Sequence, residues 1–181
     1  LALAALLGAL VPPAVVPGQG ALRRAEGQVR LALDELARAQ RAPSLAQLKR
    51  HAQRAVNIVV GERSREYDAG VNHPGDGHGV QRHLVDLWQA QGAHSARLFD
   101  ALARDGRLAA GHGELMLAVN LSLVRLMQAL QAARLALITP DPAFARAQVG
   151  AAWAALMAVQ DARGVRFLRG AFDRAAQLGG A

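Results

Sequence analysis

No cysteine occurs among the 181 residues of this sequence. Its absence excludes disulfides, thiolate metal sites, iron–sulfur clusters and c-type haem attachment. Any transition-metal site must therefore be built from imidazole and carboxylate ligands. Aromatic residues make up only 4% of the chain and include a single tyrosine, so stacking platforms for single-stranded nucleic acid are few.

Lysine is almost missing as well, since Lys49 is the only lysine among 21 basic residues. The net charge is +7, and arginine carries nearly all of the positive side of it. Arginine holds carboxylates and phosphates well because its guanidinium is a planar fork. The basic residues are spread along the chain without runs, which indicates a solvated basic surface, and we expect no nucleic-acid partner.

Charge is also absent from the beginning of the chain, where nothing ionisable precedes Arg23. Residues 1–10 are all apolar or glycine, and three prolines interrupt the apolar run between positions 12 and 17. This pattern is typical of the hydrophobic region of a secretory signal. The run is too short and too interrupted by proline to span a bilayer comfortably.

The small residues Gly18 and Gly20 around Gln19 provide a small-x-small cleavage site. We therefore expect a signal-peptide-like segment at 1–20, followed by one helical domain at 21–181. The mature chain should have no membrane span, and its location should be extracytoplasmic: periplasm, cell envelope or secreted.

What the sequence does contain is helical periodicity, and no strand-like alternation is visible. Apolar residues recur three and four positions apart, as on one face of a helix. Ser44 with Gln47 forms a capping box, and Gly61 and Asp141 are typical of a helix end and a helix start. The prediction is an all-α, up-and-down bundle of four or five helices, at 21–41, 45–60, 80–104, 114–138 and 142 towards 177.

The connection between the second and third predicted helices is unusually long and rich in glycine and histidine. Residues 61–79 include five glycines and a proline, which exclude a regular element through most of the segment. Long ordered loops in compact domains are often functional.

Three histidines and an aspartate lie within eleven residues of this loop and the start of the next helix. His73, Asp76 and His78 could converge on one ion because glycines let the loop fold back, and His83 could close the site. The spacing matches neither a zinc finger nor the His-Glu-x-x-His pattern. A solvated polar loop without an ion is the alternative interpretation.

Two further histidines are weaker candidates. His51 and His94 border apolar helix faces, and each lies too many helical turns from the loop to join its histidines. Local hydrogen bonding at the core margin is their simpler interpretation. Calcium is also an alternative, because Asp68, Asn72 and Asp76 offer oxygen ligands, although their spacing is not that of an EF-hand.

Arg63, Arg65 and Arg82 flank the histidines in the sequence. Positive side chains beside a metal would attract a small anionic substrate. These three arginines are therefore the candidates for substrate steering.

Two short motifs carry a resemblance to known proteins. The motif Asn57-Ile58-Val59-x-Gly61, and the motif Pro74-Gly75-Asp76-Gly77 after it, resemble a small group of secreted bacterial helical proteins. The group includes a copper-only superoxide dismutase of a surface-layer complex. The resemblance covers about residues 51–80 and implies a copper site, an extracytoplasmic location and an oligomeric assembly.

The leading hypothesis is an exported helical protein that binds a metal through histidines of the 73–83 segment. Copper is the first candidate, with zinc, iron and calcium as alternatives, and superoxide dismutation is its most concrete enzymatic form. The alternative function is a non-catalytic structural or interaction subunit of a cell-envelope complex. Alanine-rich faces around 149–159 favour contact with another chain, so we expect a homo-oligomer or a larger envelope complex.

Overall fold

The computed structural model describes residues 18–97, 103–104 and 106–160, and within them helices are the principal regular structure. No strand occurs in these ranges, so the all-α prediction is confirmed. The five principal helices are α1 Gln19–Arg41, α2 Leu45–Val60, α3 Val80–Arg97, α4 Gly106–Ile138 and α5 Pro142–Gln160.

The helices pack as a bundle in which α2 contacts all four of the others. Short connections at 42–44 and 139–141 place α1 beside α2 and α4 beside α5, and these are the two most extensive contacts. Helix α1 also packs against α3 and α5, while α2 contacts α4. The core lies between these faces.

The predicted apolar stripes are the buried faces of the helices. In each helix the buried positions recur at the spacing of three and four residues that the sequence shows. Burying an aliphatic side chain contributes about 1.5–3 kcal/mol, so these faces supply the main stabilisation of the bundle. The largest fully buried apolar side chains are Leu36, Leu48, Ile58, Leu84, Leu87, Leu115, Leu126 and Leu156.

Three helix ends follow the predicted capping residues. The Ser44 hydroxyl accepts a hydrogen bond from the Gln47 amide at 3.3 Å, and the Asp141 carboxylate accepts one from the Ala143 amide at 2.9 Å. Gly61 closes α2 with a positive φ of 76°, a conformation that glycine adopts without steric cost.

The predicted start of the fourth helix at Glu114 is wrong, because α4 begins at Gly106. Gly111 and Gly113, which precede the predicted start, both lie inside the helix. A glycine in a helix costs only about 1 kcal/mol relative to alanine. Burial of Gly111 and Leu115 in the same segment offsets that cost, so packing overrides local propensity.

Helix α4 is apolar on its outer side as well as its inner side. Its segment Ala109–Ile138 is long and apolar enough to cross a membrane by length and composition alone, and 39% of the segment's most apolar window is buried inside the bundle. A core helix of a soluble protein passes the same test. The expected signal-like segment up to position 17, residues 98–102 of the third predicted helix and the extension of the last helix beyond 160 lie outside the described residues.

Candidate metal site

The loop at 61–79 is held against α2 by the fully buried amide of Asn57. The Asn57 side chain donates to the carbonyl oxygens of Asp68 and Val71, at 2.8 and 2.9 Å, and accepts from the Asp68 amide at 3.0 Å. The side-chain amide of Gln53 also donates to the side-chain oxygen of Asn57, at 2.9 Å. One buried side chain thus replaces the backbone partners that an irregular loop lacks.

The two ends of the loop cross each other through glycines. The Glu62 amide donates to the Gly77 carbonyl oxygen at 2.8 Å, and Gly79 lies against Gly61. A Cβ on Gly79 would lie 2.6 Å from the Gly61 nitrogen, so a side chain there would collide with backbone. This close crossing brings Asp76 and His78 beside the first turn of α3, which begins at Val80.

Asp76, His78, His83 and Asp86 come together where the loop meets α3, and they are called the cluster here. His83 is its most buried member, with only 2% of its surface exposed. Its Nε2 lies 2.7 Å from an Asp76 carboxylate oxygen. The other Asp76 oxygen accepts from the backbone amides of His78 and Gly79, at 3.0 and 3.3 Å. Asp76 therefore orients the His83 ring and is itself oriented by the loop backbone.

His78 and Asp86 form a second pair directly beside the first. His78 Nε2 lies 2.8 Å from Asp86 Oδ2, and Arg82 Nε lies 3.1 Å from Asp86 Oδ1. The rings of His78 and His83 are 4.5 Å apart between centroids. One ligand atom each from His78, His83 and Asp86 lies within 4.8 Å of the others. Two imidazoles and a carboxylate thus converge closely enough for one ion.

The Nδ1 atom of His83 is buried and has no hydrogen-bond partner among the described residues. An ionised carboxylate only accepts hydrogen bonds, so the His83 Nε2 proton points to Asp76. In the neutral ring Nδ1 then carries a free lone pair. Buried polar atoms are nearly always paired, and a metal ion is a partner that satisfies such a lone pair.

Both carboxyl groups of the cluster have lowered pKa values. Burial raises the pKa of Asp76, but the hydrogen bond from His83 and the amides of His78 and Gly79 outweigh it, so the pKa lies below its ordinary value. Burial likewise raises the pKa of Asp86, and the hydrogen bond from His78 with the charge of Arg82 outweighs that effect. Both carboxylates are consequently ionised at neutral pH and ready to hold a cation or a proton donor.

The sequence predicted His73 in the same site, but its ring nitrogens form hydrogen bonds within the loop. Its Nδ1 accepts from the Gly75 amide at 3.0 Å, and its Nε2 lies 3.2 Å from the Tyr67 hydroxyl. Both ring nitrogens are occupied by the loop itself. His73 therefore stabilises the loop conformation that presents Asp76.

The two outlying candidates are separate from this cluster. His51 Nδ1 lies 2.7 Å from Glu35 Oε2, and Arg38 and Arg54 lie 2.6 and 3.9 Å from the same carboxylate. His51 thus forms the local pairing expected at the core margin, and its partner, Glu35, lies on α1. His94 lies in α3, but its side chain is outside the described set.

An open cleft of about 530 Å³ adjoins the cluster. Asp76 and His78 line it together with two of the predicted steering residues, Arg63 and Arg82. Arg65 is exposed but is not among the lining residues. The charged groups of the lining are thus two guanidinium groups and the carboxylates of Glu62 and Asp76, and His78 is the one histidine among them.

Asp86 is the site residue that the sequence interpretation missed. A signal for it exists, because His83 and Asp86 are three residues apart in a predicted helix and therefore share a face. The histidines of the loop are the stronger signal in the sequence, and they do not point to Asp86. No family profile, curated protein or solved structure matches this chain.

Proposed function

We propose that the protein is an exported helical bundle that binds a divalent transition metal through His78, His83 and Asp86. Asp76 orients His83 from outside the ligand set, in the manner usual for metal-bound histidines. The observation that carries the proposal is the convergence of ligand atoms from His78, His83 and Asp86 within 4.8 Å, and the buried Nδ1 of His83, which has no hydrogen-bond partner, supports it. Export rests on the uncharged apolar segment that precedes Arg23.

Copper is the metal that we favour. Imidazole suits copper, zinc and iron, whereas calcium prefers six or more oxygen ligands. The cluster offers two imidazoles and few oxygens, so calcium is the weakest alternative. The resemblance of the Asn57 and Asp76 motifs also favours copper.

Superoxide dismutation is the reaction that we propose for a copper-loaded site. Copper supplies the one-electron chemistry, by which one superoxide is oxidised to dioxygen and a second, with two protons, is reduced to hydrogen peroxide. Arg63 and Arg82 at the cleft attract the anion, since fields in clefts raise the local concentration of charged substrates. Superoxide is small enough to enter beside His78.

The first test is metal analysis of the full chain after native purification, together with electron paramagnetic resonance. We expect about one copper per chain, with couplings from two imidazole nitrogens. His78→Ala and His83→Ala should each abolish stoichiometric binding. His51→Ala is the matched control, because His51 pairs with Glu35 away from this cluster. Substoichiometric copper, zinc and iron in the wild type would overturn the metal proposal.

The catalytic half is tested separately by a superoxide assay on protein with measured copper content. Arg63→Ala and Arg82→Ala should lower the rate at low ionic strength and have little effect at high salt, where attraction is screened. Equal rates for wild type and both variants at low salt would remove the steering role. A loaded but inactive protein would leave a non-catalytic metal site.

A second candidate function is a non-catalytic subunit of a cell-envelope assembly. One observation favours it: several large aliphatic side chains on the outer face of α4 are exposed. Exposed apolar surface of this extent on a soluble protein commonly marks an interface. Measurement of the protein's mass in solution tests this function, because an interaction subunit should associate and an isolated metal-binding protein should not.

A further inference from the structure

The outer face of α4 carries an ordered row of exposed aliphatic side chains. A helix on the surface of a bundle normally turns a polar face to solvent. The exposed fractions here are 56% for Leu117, 44% for Leu121, 55% for Val124, 36% for Leu135 and 76% for Ile138. These residues, with the exposed Gln128 and Gln131 between them, are called the α4 seam below.

The seam follows a strict alternation of steps of four and three residues. It runs from Leu117 to Ile138 through positions 121, 124, 128, 131 and 135, which is three heptads. This spacing keeps all seven side chains in one narrow stripe, the pattern through which two helices pair side by side. No charged residue lies within the stripe.

Without its first residue, Leu117, the seam has the same order of chemical classes in both directions. From 121 to 138 it reads aliphatic, aliphatic, amide, amide, aliphatic, aliphatic. Two antiparallel copies related by a twofold axis would place Gln128 opposite Gln131 of the other copy, Val124 opposite Leu135 and Leu121 opposite Ile138. A twofold interface requires such self-complementarity, and each amide both donates and accepts.

The exposed area fits a weak dimer. The five aliphatic side chains leave roughly two and a half whole side chains exposed per copy. At about 100 Å² per side chain, two copies would cover on the order of 500 Å² of apolar surface. With the polar share usual for interfaces, the total approaches the ~1,000 Å² at which specific association begins.

We propose that the α4 seam binds the same seam of a second copy of this chain, antiparallel, with the paired glutamines setting the register. Polar residues at seam positions are known to specify register and orientation. This proposal rests on the second candidate function, an interaction subunit, and names a second copy of the chain as the partner. It is independent of the metal site, which lies on the loop and α3. Gln128 exchanges its present bond with Arg125 of its own helix, 2.9 Å, for the partner's amide.

The test is sedimentation velocity of the full chain between 1 and 100 µM. Wild type should pass from 19.1 kDa towards twice that mass. Leu135→Glu should weaken association at least tenfold, because symmetry introduces the buried charge twice. Met127→Glu is the matched control, since Met127 is 48% exposed on the same helix but lies outside the seam, and it should change the dissociation constant less than threefold.

Orientation is tested by cysteine cross-linking, which is clean because the chain has no cysteine of its own. Gln128→Cys/Gln131→Cys should oxidise to a covalent dimer, whereas Leu117→Cys should not, since antiparallel pairing puts its two copies far apart. A Leu117→Cys dimer would overturn the antiparallel register. Disulfides need Cα atoms within about 7 Å, so the readout is geometric.

Three outcomes would overturn the proposal outright. They are a wild type that remains monomeric at 100 µM, a Leu135→Glu variant that dimerises as well as wild type, and a monomer that floats with vesicles containing anionic lipid. The last would assign the seam to a lipid surface. Metal content measured on the same Leu135→Glu protein separates this proposal from the metal site, because it should equal that of wild type.

Discussion

Of the three histidine–carboxylate pairs among the described residues, two have opposite patterns of burial. In the pair on α1 and α2, the Glu35 side chain is 2% exposed and that of His51 is 24% exposed. In the pair between the loop and α3, the His83 side chain is 3% exposed and that of Asp76 is 31% exposed. The distance between the bonded atoms is 2.7 Å in both.

The inversion matters because a buried carboxylate and a buried imidazole have different requirements. Glu35 needs cationic partners, and Arg38, Arg54 and His51 provide them. His83 needs a partner for each ring nitrogen, and the described residues provide only one. Arg54 Nε is also buried without a partner, but it is a donor on a cation and has no lone pair for a metal.

The lesson is that a short histidine–carboxylate distance does not by itself identify a site. What distinguishes the His83 region is an unsatisfied acceptor, a second pair within reach and an adjoining cleft. The Glu35 region has a buried charge that its neighbours neutralise. The first pair therefore belongs to the stability of the fold, and the second is the one that we propose for ligand binding.

Acidification should separate the two regions most strongly. An ordinary imidazole takes up a proton near pH 6.5, and two imidazole ligands should together weaken metal binding by roughly 1,000-fold at pH 5. The lowered pKa values of Asp76 and Asp86 mean that their stabilising contribution is present above 3.8 and is lost only as the pH falls below that value. Metal should therefore leave by pH 5 while helical circular dichroism persists.

That expectation is measured by metal content after gel filtration and by circular dichroism on the same samples. A carboxylate-only calcium site would hold its ion to about pH 4–5. Retention of metal at pH 5 would count against histidine ligation. Joint loss of metal and helix would show that the site supports the fold.

Removal of Glu35 should have the next largest effect, and on stability alone. Glu35→Ala leaves Arg38, Arg54 and His51 without their shared anion and opens a void, so we expect the free energy of unfolding to fall by about 2–4 kcal/mol. Urea denaturation measures this. Metal affinity per folded molecule should not change, and a loss of affinity would mean that the two regions are coupled.

Asp76→Asn should produce the smallest of the three effects, and on affinity alone. The amide keeps the shape of the carboxylate but no longer fixes the His83 tautomer with a charge, and substitutions of such orienting groups typically cost 10- to 100-fold in metal affinity. Competition with a chelator measures the change. An effect as large as that of His83→Ala would instead make Asp76 a direct ligand, as the sequence first suggested.

Much of the fold was predictable because it depends on local rules. The stripes through Leu36, Leu84 and Leu126 are buried as periodicity predicts, and the caps at Ser44 and Asp141 form as their side chains predict. The start of α4 was not predictable, since the packing of Gly111 and Leu115 outweighs the helix-breaking tendency of glycine. Propensity is a weak preference that tertiary contacts override.

The sequence predicted the segment in which the candidate site lies, but not which residues form it. Its histidine-rich segment stands out in a chain without cysteine, and His78 and His83 do converge there. His73 is drawn away by Tyr67 and Gly75, while Asp86 enters from the helix. Hydrogen bonds in an irregular loop have no periodicity, so the sequence does not show which of its side chains they occupy.

By itself, the sequence determined the helices, their buried faces, the absence of thiol chemistry and the segment in which imidazoles are concentrated. These properties follow from residue type and from spacing along one chain. The tertiary structure alone decided which histidine is buried with a free nitrogen, which carboxylate faces it and which side of α4 remains uncovered. Those properties depend on the crossing of Gly61 and Gly79 and on the anchor at Asn57, where residues far apart in the sequence come into contact through the folded backbone.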